Sequence, residues 1–112
     1  MQRIGPDDVE SVEPTEDIVV TLLGAGERMN VQHVRFGPGT VGSEHSHPHE
    51  QIVYVTAGSL VYHGPDGEVR LEAGDSLVIP GDEPHAAANP GSEPADVIEV
   101  FSPRRDDPPW AE

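Results

Sequence analysis

GPGTVGSEHSHPHEQIVYVTAG, residues 37–58, places three histidines, a glutamate and a glutamine within positions 45–51, directly ahead of an apolar run. Imidazole nitrogen is a ready ligand for divalent metals, so a metal site is the first expectation. His45, His47 and Gln51 share odd parity, and on a continuous strand they would share one face. Gly37, Pro38 and Gly39 break the chain ahead of the cluster, and Gly58 closes the strand expected at 51–57.

Outward from this stretch the chain reads as short strands separated by turn residues. β-branched and apolar runs predict strands at 18–23 and 29–36, with Gly24, Ala25 and Gly26 between them as a hairpin turn. Another strand is predicted at 59–63. Gly64-Pro65-Asp66-Gly67 then turns the chain into an alternating strand at 68–72, because proline presets φ and glycine accepts φ > 0. Strands are predicted further at 76–79, 85–89 and 96–102. No window offers a ten-residue helical face, and strands recurring at this spacing point to an all-β fold, a small barrel or jelly roll. With five aromatic residues in the chain, its core must come largely from Val, Ile and Leu. Residues 1–17 and 104–112 are polar and contain proline, and are expected as an N-terminal arm and a C-terminal tail around a barrel at 18–103.

A chain of 112 residues supports one domain. No stretch approaches the roughly 18 apolar residues of a membrane helix, and the N-terminus lacks a secretory apolar run, so a cytoplasmic protein is expected. Without cysteine there is no disulfide and no thiolate nucleophile, and any metal must be held by nitrogen and oxygen. Asp and Glu number 21 against six arginines and no lysine, a formal net charge of −15. Such a surface repels nucleic acid and anionic membranes. It fits a well-solvated surface from an arginine-preferring genome, or adaptation to high salt, where self-repulsion is screened.

The spacing of the histidine stretch is Gly39-x5-His45-x-His47-x3-Gln51-x6-Gly58. After 15 residues comes Gly74-x5-Pro80-x-Asp82-x2-His85-x3-Asn89. Together these closely resemble the two motifs of the cupin superfamily, whose fold is a single-domain double-stranded jelly roll. Two positions depart from that pattern. Gln51 stands where the family usually has a glutamate ligand, and Asp82 where it usually has glycine, a turn position that aspartate tolerates.

The resemblance implies that His45, His47, Gln51 and His85 are ligands of one divalent transition metal ion: Zn, Ni, Fe, Mn, Co or Cu. The alternative is that the histidines line an empty barrel mouth. With a neutral amide in place of the carboxylate, the site would keep the full charge of the metal and favour an anionic ligand. His49 follows Pro48 and is expected behind the ligands or facing solvent, and Glu50 is expected to point outward. His33 and His63 show no partner pattern and read as ordinary strand residues.

HSHPHEQ followed by the closing DVIEVFSPRRDD, residues 96–107, resembles more closely the KdgF-type cupins of pectin and alginate breakdown. Those convert a cyclic 4,5-unsaturated uronate to its linear keto form. The resemblance implies catalytic roles for Glu99 and Arg105 and substrate-binding roles for Phe101 and Arg105. Glu99 stands where aspartate is usual, and Arg104 competes with Arg105 as the equivalent guanidinium. Left to the residues alone, Glu99 could be an exposed strand carboxylate and Arg105 a surface partner of Asp106 or Asp107. The resemblance further implies a small anionic sugar substrate and a homodimer, with a metal-dependent dioxygenase or a non-catalytic sugar-binding or sensory cupin as the competing functions.

Overall fold

The computed structural model describes residues 1–106. Nine strands form in chain order: β1 Ser11–Thr15, β2 Ile18–Ala25, β3 Asn30–Phe36, β4 Glu50–Ala57, β5 Ser59–Gly64, β6 Gly67–Glu72, β7 Ser76–Ile79, β8 Ala86–Ala88 and β9 Ala95–Ser102. A short 3₁₀ turn at Pro6–Asp8 is the one helical element among the described residues. Every strand expected from the sequence is present within one or two residues, and the all-β jelly roll stands. The stretch 11–15, expected as part of an arm, adds β1 along β2. Its Val12 pairs with Val20 and packs on the core, and Pro14 is tolerated because β1 is an edge strand.

A six-stranded sheet of order β1-β2-β3-β9-β4-β7 faces a three-stranded sheet β6-β5-β8, and all pairings are antiparallel. Strict alternation explains which residues line the interior. On β4 Gln51, Val53 and Val55 are buried while Ile52 and Tyr54 face out, and on β9 Ala95, Val97, Glu99 and Phe101 are buried. The core between the sheets is Ile18, Val20, Val34, Phe36, Val53, Val55, Leu60, Tyr62, Leu71, Ile79, Ala95 and Val97. Each fully buried aliphatic side chain contributes roughly 1.5–3 kcal/mol over an exposed one.

Two backbone positions fix the loops that matter for the interior. Gly58 takes φ +74°, and a Cβ there would lie 2.5 Å from the Pro94 carbonyl oxygen, so no other residue fits. Asp82 takes φ +68°, which accounts for the glycine usual at this motif position and for the aspartate tolerated here.

Candidate metal centre

β9 lies between β3 and β4, so its inward residues face the middle of the sandwich. The histidine segment reaches the same place by a different route. Residues 45–49 are not a continuous strand as the parity reading assumed. His45 makes an isolated bridge with His85, Pro48 interrupts any ladder, and only Gln51 belongs to β4. The rings converge nevertheless, because His45 and His85 exchange backbone hydrogen bonds of 3.0 and 2.9 Å while Asp82 N donates to the His47 carbonyl at 2.7 Å.

One ring nitrogen from each of His45, His47 and His85 lies within 4.8 Å of the others. Each Nδ1 meets a backbone carbonyl: His45 that of Ser43 at 3.0 Å, His47 that of His49 at 3.0 Å, and His85 that of Glu83 at 2.9 Å. A carbonyl only accepts, so each Nδ1 carries the proton and each Nε2 keeps its lone pair, the arrangement that orients imidazoles as metal ligands. His85 Nε2 is buried with no hydrogen-bond partner among the described residues.

Gln51 Oε1 lies 3.0 Å from His47 Nε2. With Nδ1–H already given to the His49 carbonyl, a neutral His47 sets two acceptors face to face. Rotation of the amide, a proton or a cation between them would relieve this, and the hydrogen bond from Gln51 Nε2 to Glu99 Oε2 at 3.2 Å opposes the rotation. Burial, and then the charge of Arg105, lowers the pKa of His47 and so opposes the proton. Burial also lowers His85 to about 4, against the hydrogen bond to the Glu83 carbonyl, which raises it. Three imidazoles, each with Nδ1 committed to a backbone carbonyl, and one amide oxygen therefore fit a divalent transition metal.

The remaining site residues surround a cavity of about 420 Å³ lined in part by His45, Gln51, His85, Glu99, Phe101 and Arg105. Glu99 is buried rather than an exposed strand carboxylate. Its Oε1 accepts from Gln32 Nε2 at 2.6 Å, and its Oε2 from Gln51 Nε2 at 3.2 Å and Tyr62 Oη at 3.3 Å. Burial raises its pKa, and the bonds from Gln32 and Tyr62 and the charge of Arg105 oppose that rise. Phe101 packs edge-on to His47 with ring centroids 5.5 Å apart, and the Arg105 guanidinium lies 5.2 Å from the Phe101 centroid. Arg105 N is anchored by Asn30 Oδ1 at 2.7 Å.

Of the two arginines, Arg105 lines the cavity while Arg104 reaches the Asp106 carboxylate and the Gly26 carbonyl on the surface. Asp107, the other ion-pair partner considered for Arg105, falls outside the described residues. His49 is buried beside His47 and Phe101 and supports His47 through its carbonyl, while Glu50 faces solvent. His33 and His63 sit on strands beside Asp96 and Glu68. The motif residue Asn89 is structural: its Nδ2 donates to the Phe36 and Glu93 carbonyls and its Oδ1 accepts from Gly91 N.

Gln32 and Tyr62 are the site residues that sequence reasoning missed. Gln32 shares inward parity with Val34 and Phe36, so a polar side chain on an apolar strand face was the available signal. Tyr62 offers a weaker one, because its ring packs in the core and only its hydroxyl reaches Glu99.

Among the described residues, no helix is long and apolar enough to cross a membrane. The pectin degradation protein KdgF of Dickeya dadantii is 38% identical over 76 residues, covering 66% of this chain and 67% of that one. The tetracenomycin polyketide synthase protein TcmJ of Streptomyces glaucescens is 36% identical over 72 residues, 63% of this chain, which spans 48% of TcmJ. The solved structure of KdgF from Halomonas sp. superposes with a TM-score of 0.85 at 29% identity, covering 96% of this chain and 97% of that one. The Cupin_2 family model, a cupin domain, matches residues 32–101, which hold all four expected metal ligands, and the chain belongs to the cupin family.

Proposed function

We propose that this cupin is a metal-dependent enzyme acting on a small anionic sugar acid, opening a cyclic 4,5-unsaturated uronate to its linear keto form. The observation that carries the metal part is the convergence of one ring nitrogen each from His45, His47 and His85 within 4.8 Å, with Gln51 Oε1, its amide held by Glu99, 3.0 Å from His47 Nε2. The likeness to KdgF supports the substrate class.

His45, His47, Gln51 and His85 would hold a divalent ion, which when bound would supply a positive charge to anchor and polarise the sugar acid. Arg105 pairs with the substrate carboxylate through its planar fork of donors. Phe101 gives the guanidinium a flat support and presents an apolar face to the ring. Glu99, a buried carboxylate whose proton affinity desolvation raises, takes a proton from the water that adds to the enol ether and returns it to the neighbouring ring carbon as the ring opens. Purified protein loaded with metal should accelerate loss of the ultraviolet absorbance of an unsaturated uronate. His47→Ala should abolish that acceleration, and Arg105→Ala should raise KM about 10-fold or more by removing a charge-assisted pair worth roughly 1.5–3 kcal/mol. No acceleration across several uronates rejects the assignment; binding without conversion would favour the sugar-binding reading, and oxygen consumption the dioxygenase.

A second reading is favoured by the cavity wall. Ile18, Val20, Val34 and Phe36 line the side facing the polar cluster, which suits a ligand with an apolar ring as well as a polar end. Binding of an aromatic carboxylic acid with no measurable uronate turnover would favour this reading.

The assembly we propose is a homodimer. The outward residues Val78, Ile52, Val100 and Val31 follow one another across β7, β4, β9 and β3 and offer an uncharged surface on a strongly acidic protein. Sedimentation at micromolar concentration tests it, and a monomer would reject it.

A further inference from the structure

A glutamine side chain has two ends of nearly equal shape and opposite chemistry, since its oxygen can coordinate a cation while its NH₂ turns hydrogens toward it. The contact with His47 does not select the oxygen. On hydrogen bonding alone, the lone pair of His47 Nε2 would rather receive the NH₂ end. The orientation of the Gln51 amide must therefore be set from its far side.

That side is buried and occupied. Gln51 Nε2 donates to Glu99 Oε2 at 3.2 Å, and Glu99 Oε1 accepts from Gln32 Nε2 at 2.6 Å. A carboxylate has no hydrogen to give, so it captures the nitrogen of the amide and turns the oxygen toward His47. The three side chains come from adjacent strands. Gln32 on β3 pairs directly with Glu99 on β9, and Gln51 on β4 pairs with Phe101, one inward position further along β9. All three are at most 8% exposed, so water competes weakly for these bonds.

We infer that Gln32 and Glu99 are positioning residues of the metal centre: a buried chain from Gln32 through Glu99 locks the Gln51 amide with its oxygen presented to the cation. This rests on the reading of Gln51 as a ligand. It gives Glu99 a duty separate from proton transfer and gives Gln32 a role at a distance from the ion.

Co²⁺ alone is the probe, followed by its visible absorption bands and by competition with a chelator. Glu99→Gln should weaken Co²⁺ binding about 10- to 100-fold, the usual effect of losing a group that orients a ligand. Gln32→Met, one step further away, should weaken it less. The double variant Gln51→Glu/Glu99→Gln should restore wild-type affinity or exceed it, because a carboxylate offers oxygen from either end and the new amide at 99 can donate to it. Glu99→Gln binding as tightly as wild type, or a double variant as weak as Glu99→Gln, would overturn the inference. If circular dichroism shows that Glu99→Gln alone does not fold, the double variant and Gln32→Met decide: wild-type affinity in the double with weakened binding in Gln32→Met supports the lock, and any other combination overturns it. A wild-type protein that fails to bind Co²⁺ overturns the metal reading itself, an outcome distinct from unaltered binding in the variants.

Discussion

Tyr62 Oη, from β5 of the three-stranded sheet, donates a hydrogen bond of 3.3 Å to Glu99 Oε2 on β9 of the six-stranded sheet. The bond crosses the interior of the sandwich and ties the polar end of the cavity to the packed core. Removing a donor from a buried carboxylate leaves desolvation uncompensated, so Tyr62→Phe should lower stability by about 1–3 kcal/mol. Urea unfolding of metal-free protein measures this, and an unchanged midpoint would show that the phenol contributes nothing to holding Glu99.

Burial raises the Glu99 pKa above its ordinary value of 4.5, and the sign of the pH effect follows. A raised carboxyl contributes stability that is complete below the unfolded value and is lost as pH rises through the folded one. Glu99→Gln removes that loss. In metal-free protein, the stability of the variant relative to wild type should therefore climb as pH rises from 4.5. His85, lowered to about 4 by burial, acts oppositely between 6.5 and 4, but it is common to both proteins and cancels in the difference. Urea midpoints at several pH values check this; a pH-independent difference would contradict it.

Metal should stabilise the fold by mass action, because the ligands are assembled only in the native state. At 100 times the dissociation constant the gain is about 2.7 kcal/mol. Melting in Zn²⁺ should exceed melting in chelator, and His47→Ala should remove the difference. Equal melting temperatures in wild type would contradict the proposed centre.

Gly81 is pressed against the Pro48 carbonyl, into which a Cβ at this position would run. Pro48 separates His47 from His49, and Asp82 N holds the His47 carbonyl. Gly81→Ala should therefore cost about 1–3 kcal/mol and weaken Zn²⁺ retention in dialysis as well. Loss of stability with full metal retention would show that the loop and the site are uncoupled.

The net charge of −15 predicts a protein that gains stability from salt. At about 1 M salt the screening length falls to roughly 3 Å, which suppresses repulsion across an acidic surface. Urea midpoints with and without molar KCl measure the effect, and indifference to salt would dispose of the high-salt reading.

The sequence by itself determined the strands and, through its resemblance to the cupin motifs, which residues to expect as candidate metal ligands. Period-2 alternation marks one face of each strand, and Gly and Pro mark the ends, so 51–57 and 96–102 were legible as β4 and β9. His45, His47, Gln51 and His85 were legible as a candidate set only through the resemblance of their spacing to the two cupin motifs. Tertiary structure decided the rest. β1 was hidden because an edge strand needs only one buried position, here Val12. The convergence of His45 and His47 came from bridge and loop contacts to 82 and 85 rather than from strand parity. That Arg105 rather than Arg104 lines the cavity depends on which way the chain leaves β9, fixed by the Asn30 side chain. The surroundings of Glu99, with Gln32 beside it, Tyr62 across the sandwich and Gln51 diagonal to it, exist only once β3, β9, β4 and β5 are placed. Local pattern records which way a residue faces; what it faces is set by pairing between residues far apart in the chain.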